Sequence, residues 1–202
     1  DAFHGRTLTS IQAGSNKLHR EGFLAKNNCD CGFIRVPSND INLLDKKINS
    51  NTAAILFEPI QGEGGVNTFS INYFKKIKIL CNKNNILLAF DEVQSGIART
   101  GKLFSYEWYG VLPDIMSLAK GLGGGFPIGA ILMTNKISKC MGFGTHGSTF
   151  GGNQLACSVA LAVLKEVSKN SFLSRVKDNG SFLKEKLETI KKNYPSLILS
   201  IK

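Results

Sequence analysis

Three short apolar runs, each stopped by charged side chains, constrain the fold more than any other feature of this chain. Residues 53–57 end at Glu58, residues 86–90 end at Asp91 and Glu92, and residues 115–119 end at Lys120. A run of five apolar residues has no polar face, so it suits a strand covered on both sides. Between the first two runs, residues 71–85 set Ile71, Phe74, Ile77, Ile79 and Leu80 on a charged background, the pattern of an amphipathic helix. Residues 128–133 read as a fourth strand. A long helix is expected from Asn153 to about Lys169, and a second from about Ser171 to Lys192, with a break at Asn179-Gly180 left open; residues 197–199 look like a final strand. Strands interspersed with helices imply an α/β fold with a mostly parallel sheet. Charge rises after Lys169, which places a boundary between residues 1–169 and 170–202.

Open α/β sheets bind ligands at the carboxyl ends of their strands. Lys120 stands at such an end and leads into a glycine turn, Gly121 to Gly125 with Leu122 inside it. Burial there would disfavour its ammonium form and make the amine a nucleophile; the bland alternative is a lysine that snorkels to solvent. Asp91, at a neighbouring strand end, could keep a pyridine nitrogen protonated, or could serve as a helix cap or loop ion pair. Residues 144–153 set hydroxyls and glycine amides before a helix, where Thr149 and the helix start could take a phosphate, or Ser148, Thr149 or Asn153 could simply cap it.

Other motifs fail on chemical grounds. Residues 96–103 approach a P-loop, but Leu103 stands where a hydroxyl must reach magnesium. The match of residues 142–147 to G-x-G-x-x-G has no strand leading into it. Ser117-Leu118-Ala119-Lys120 fits S-x-x-K without its companion motifs, so Ser117 is expected to face a packed sheet. Five irregularly spaced cysteines argue against a disulfide framework, and Cys29 and Cys31 lack a second pair for zinc, so no metal is expected. The net charge of +10 comes from lysines scattered over helix-like stretches, a solvated-face pattern without a nucleic-acid signature. No apolar run approaches the ~20 residues of a membrane span, and residues 1–6 lack the architecture of a signal peptide, so a cytoplasmic protein is expected.

Phe3-His4-Gly5-Arg6-Thr7, residues 58–65 (EPIQGEGG), residues 90–94 (FDEVQ), Ala119-Lys120-Gly121 and residues 145–149 (THGST) occur in order, and together the chain resembles the class III, fold type I aminotransferases that use pyridoxal 5′-phosphate. The resemblance implies that residues 1–169 are part of the large cofactor-binding domain and residues 170–202 the start of a small one. It implies Lys120 as the lysine that bonds the cofactor and moves a proton, and Asp91 as the partner of its ring nitrogen. Phe3 would stack on the ring, Gln94 would bond near the phenolic oxygen, and Glu92 and Val93 would join the cofactor-facing set. Thr149 would hold the phosphate, usually that of the partner subunit in a homodimer. Arg6 would grip a substrate carboxylate, Ser148 would lie beside the substrate, and Glu58 and Glu63 would be supporting carboxylates, the latter tuning substrate choice. The implied reaction is transfer of the δ-amine of N2-acetylornithine to 2-oxoglutarate in arginine biosynthesis. Alternatives are sister enzymes acting on ornithine, succinylornithine, succinyldiaminopimelate or 4-aminobutyrate, or a non-catalytic basic remnant. The family's upstream phosphate-binding turn and downstream arginine have no match, so the chain is expected to be a fragment lacking both termini.

Overall fold

The computed structural model describes residues 2–23 and 32–202; Cys29 and Cys31 lie outside the described residues. The helices are α1 (Leu8–Ala13), α2 (Lys17–Arg20), α3 (Ile41–Lys47), α4 (Ile71–Asn84), α5 (Asn135–Ser138), α6 (Gln154–Val167) and α7 (Asn170–Asn193), and the strands β1 (Ala54–Phe57), β2 (Leu87–Asp91), β3 (Ile115–Leu118) and β4 (Ala130–Met133). The strands form one sheet in the order β1-β2-β3-β4. β1 pairs parallel with β2, β2 parallel with β3, and β4 antiparallel with β3. The sheet is mostly parallel, as expected, with one antiparallel edge strand, β4, because the turn after Lys120 reverses the chain directly onto β3 without a helical crossover.

Helix α4 is the crossover between β1 and β2. Ser70 starts it by accepting the Tyr73 amide at 3.2 Å, and Asn85 ends it in the left-handed region at φ 52°. Its apolar face carries Tyr73, Phe74, Ile77 and Cys81 onto Phe57, Leu88 and Phe90, with Phe69 and Val111 completing a largely aromatic core. Phe74 is central: its ring stacks on Tyr109 at 3.7 Å and meets Phe90 edge-on at 5.7 Å. A smaller core joins Met116 and Leu118 of β3 to Leu122, Ile97 and Ala160 of α6. Cys81 is a free, buried thiol whose pKa burial pushes up to about 11.

One expectation fails near the carboxyl terminus. Residues 197–199 form no strand: the amides of Leu197 and Ile198 turn back to the Tyr194 carbonyl, and Leu199 is 87% exposed with no strand edge beside it. Helix α7 runs unbroken through Asn179 and Gly180, since one interior glycine costs only about 1 kcal/mol against a helix of 24 residues. The boundary expected near residue 169 falls in the two-residue link between α6 and α7. Among the described residues no helix is long and apolar enough to cross a membrane, and no cluster of three or more His, Cys, Asp or Glu could hold a metal.

Candidate active site

The parallel pairing brings the strand ends together. Phe57 pairs with Phe90 and Asp91 with Ser117, so Glu58, Asp91 and the turn at Lys120 emerge along one edge. The loop of residues 2–7 folds over that edge, closed by Ser15, whose amide donates to the Ala2 carbonyl at 2.9 Å, and bent at Gly5, where φ is 118°. Two links fasten the loop: the Phe3 amide donates to Glu58 Oε1 at 2.7 Å, and His4 Nδ1 lies 2.7 Å from Asp91 Oδ2.

Asp91 is almost enclosed, at 9% exposure. Its Oδ1 accepts from the Val93 amide at 3.1 Å and the Ser117 hydroxyl at 3.2 Å, while Oδ2 faces His4. Three contacts from three segments fix the direction of this carboxylate. Ser117, expected to be a packing residue, therefore supports the site, and the reason lies in the register: directly opposite Asp91 on β3, its hydroxyl reaches the carboxylate. His4 was named only as part of a motif; its position two residues before Arg6 held no separate signal.

Two cavities flank Gln94. The smaller, about 110 Å³, is lined by Phe3, His4, Gly5, Glu58, Asp91, Val93, Gln94 and Lys120. The larger, about 270 Å³, shares Val93, Gln94 and Lys120 and adds Gly96, Ile97, Arg99 and Gly121. Lys120 has φ 44°, a left-handed conformation that costs a non-glycine residue on the order of 1 kcal/mol. Its side chain is exposed, contrary to the expected burial, because β3 ends at Leu118 and Lys120 opens the turn at the cavity rim.

Glu58 is 4% exposed, and burial raises the pKa of its carboxyl while the amides of Phe3 and Gly62 bond it and pull the other way. It thus ties the loop bearing Phe3 to the glycine turn after β1. Glu92 lines neither cavity. Fully buried, it accepts from the amides of Ser105 at 2.9 Å and Tyr106 at 2.7 Å and from the Ser95 hydroxyl at 3.2 Å. Its carboxyl is also raised by burial, and it fastens the loop after β2 instead of facing a ligand.

The remaining candidates sit further out. Arg6 lays its guanidinium over the Phe3 ring at 5.6 Å, beside the smaller cavity but outside its lining. Glu63, Ser148 and Thr149 are exposed and line neither cavity. The Ser148–Thr149 stretch does precede α6, but Asn153 caps that helix, accepting the Ala156 amide at 2.9 Å. The enclosed set fits a flat, ionisable heterocycle bearing an aldehyde: a fixed carboxylate for a ring nitrogen, an aromatic side chain for a face, and a primary amine for the carbonyl carbon.

The family model "Aminotransferase class-III" matches residues 1–202. The acetylornithine aminotransferase of Methanocaldococcus jannaschii is 46% identical over 194 residues, which cover 96% of this chain and 48% of that protein. The ornithine aminotransferase of Toxoplasma gondii superposes with a TM-score of 0.89 at 34% identity, over 100% of this chain and 47% of that one. The acetylornithine aminotransferase of Elizabethkingia anophelis gives 0.75 at 44% identity, over 80% of this chain and 41% of that one. The chain spans about half the length of the curated relatives it matches.

Proposed function

The chain belongs to the class-III aminotransferases, and from that membership we propose that the protein moves an amino group from an ornithine-like donor to 2-oxoglutarate with pyridoxal 5′-phosphate as cofactor. The observation that carries the reading is the meeting of Lys120, Asp91 and Phe3 around one cavity. When bound, the cofactor supplies an aldehyde that takes up amino groups and a protonated ring that withdraws electrons. Asp91 keeps the proton on the ring nitrogen, and His4 and Ser117 hold its carboxylate in line. Lys120 would hold the cofactor through Nζ, and the same amine, once free, would serve as the base and acid that moves a proton at the substrate carbon. Phe3 would stack on the cofactor ring, Val93 lines the same cavity, and Gln94 would hydrogen-bond near the phenolic oxygen. Arg6 takes a substrate carboxylate as a bidentate pair, with Ser148 beside it and Glu63 adjusting which substrates are accepted. Thr149 would hold the phosphate of the cofactor in the partner subunit of a homodimer, a role consistent with its place outside both cavity linings.

N2-acetylornithine is the donor favoured by the sequence relatives, with arginine synthesis in the cytoplasm as its setting. Ornithine is the second reading, favoured by the extent of the structural match to an ornithine aminotransferase. A single-turnover assay on the intact, cofactor-loaded protein separates them by the rate at which each amine bleaches the visible band. A tenfold preference for N2-acetylornithine is expected. Preference for ornithine establishes the second reading, and preference for 4-aminobutyrate overturns both.

A further inference from the structure

Gly62 is a glycine because of space, not backbone freedom. Its φ lies outside the left-handed region, so its backbone suits any residue. A Cβ built there would nevertheless stand 2.6 Å from Gln94 Cδ and 3.1 Å from its Cγ, and closer still to Oε1. Gln94 therefore lies flat against the missing side chain.

The two sides of this contact differ in what they can yield. The Gly62 carbonyl is held in the turn, accepting from the amides of Gly65 and Val66, each at 3.3 Å. The turn around it is closed by reciprocal bonds, Gln61 amide to Asn67 carbonyl at 3.0 Å and Asn67 amide to Gln61 carbonyl at 3.1 Å. The Asn67 side chain adds a bond to the Gly64 carbonyl at 3.0 Å. Gln94, by contrast, is an exposed side chain whose flexible end carries the clash. A methyl group at position 62 would displace the glutamine amide and leave the turn in place.

We propose that Gly62 is a positioning residue: by presenting no side chain it gives the Gln94 amide its place between the two cavities, and it acts on the site through Gln94. The effect on cofactor binding rests on the reading of Gln94 as the partner of the phenolic oxygen; the displacement itself does not.

The test uses the intact protein with Gly62→Ala, Gln94→Ala and the double variant. Three quantities are read: the dissociation constant of pyridoxal phosphate, the wavelength of the bound cofactor's visible band, and the apo crystal structure of Gly62→Ala. Each single variant is expected to weaken cofactor binding by roughly 3- to 10-fold, the scale of one hydrogen bond, and to shift the band in the same direction. The double variant is expected to match Gln94→Ala within about twofold, since two residues acting through one contact are not additive. The apo structure is expected to show the amide swung away over an unmoved turn. Multiplicative losses in the double variant, or a turn that moves while Gln94 stays, would overturn the proposal. If Gln94→Ala binds normally with an unshifted band while the apo structure shows the displaced amide, the positioning holds and the assigned role of Gln94 falls.

Discussion

Helices α4 and α7 carry the same kind of apolar periodicity and meet different fates. Helix α4 buries Tyr73, Phe74, Ile77 and Cys81 between the sheet and its neighbours, whereas α7, ten residues longer, buries none. Phe74 is 1% exposed and Phe182 60%. The site residues divide in the same way. Glu58 and Asp91, at the carboxyl ends of β1 and β2, are bonded to Phe3, His4 and Ser117, while Ser148 and Thr149 stand exposed on the loop before α6. Periodicity makes a helix amphipathic, and only a neighbouring surface makes its apolar face a core. Residues 54–122 supply that surface for α4 and, through Leu118 and Leu122, for Ala160 of α6; α7 buries no residue.

The contrast can be broken most sharply at the strand ends. Lys120→Ala is expected to lower turnover by ~10³-fold or more while far-ultraviolet dichroism stays unchanged, because in the proposed mechanism the lysine is both nucleophile and proton carrier, and its side chain is exposed. Turnover near the wild-type rate would remove Lys120 from its role. A smaller effect compares the helices directly. Phe74→Ala is expected to cost about 3–5 kcal/mol by urea unfolding, the price of a cavity in an aromatic core, and Phe182→Ala less than about 1 kcal/mol unless a partner surface covers α7. Equal losses would mean that α7 is as well packed in the working protein as α4.

The smallest effect sharpens the difference between adjacent carboxylates. Glu92 has its pKa raised above 4.5 by burial, so between 4.5 and the folded-state pKa the native protein binds more protons than the unfolded chain. Its contribution is fully present below 4.5 and is lost as pH rises through the folded value. Unfolding free energies of Glu92→Gln, followed against pH, should therefore gain on the wild type as pH rises across that window, above a constant offset from one lost backbone contact. A gap that stays flat with pH would show that Glu92 ionises as freely in the native protein as in the unfolded chain.

Much of this molecule is legible without coordinates because its signals are local. An apolar run of four or five residues between turns suits a covered strand, and a charged residue that ends it then falls at the strand terminus. That logic places Glu58, Asp91 and Lys120 on one edge before any contact is known. The fourth strand was legible as a strand but not as antiparallel, because direction depends on the path of the turn between Lys120 and Ala130. Residues 197–199 had strand composition and found no edge to pair with.

The sequence by itself determined the alternation of strands and helices, the carboxyl-edge position of the charged residues and the family to which their motifs belong, since each depends on neighbours along the chain. Only the tertiary structure decided that Ser117 serves Asp91, that Glu92 turns away from the cavities, that Lys120 stands exposed at the rim and that Gly62 makes room for Gln94. Those outcomes depend on strand register and on which segments cross in space, and periodicity in one dimension does not encode such distances.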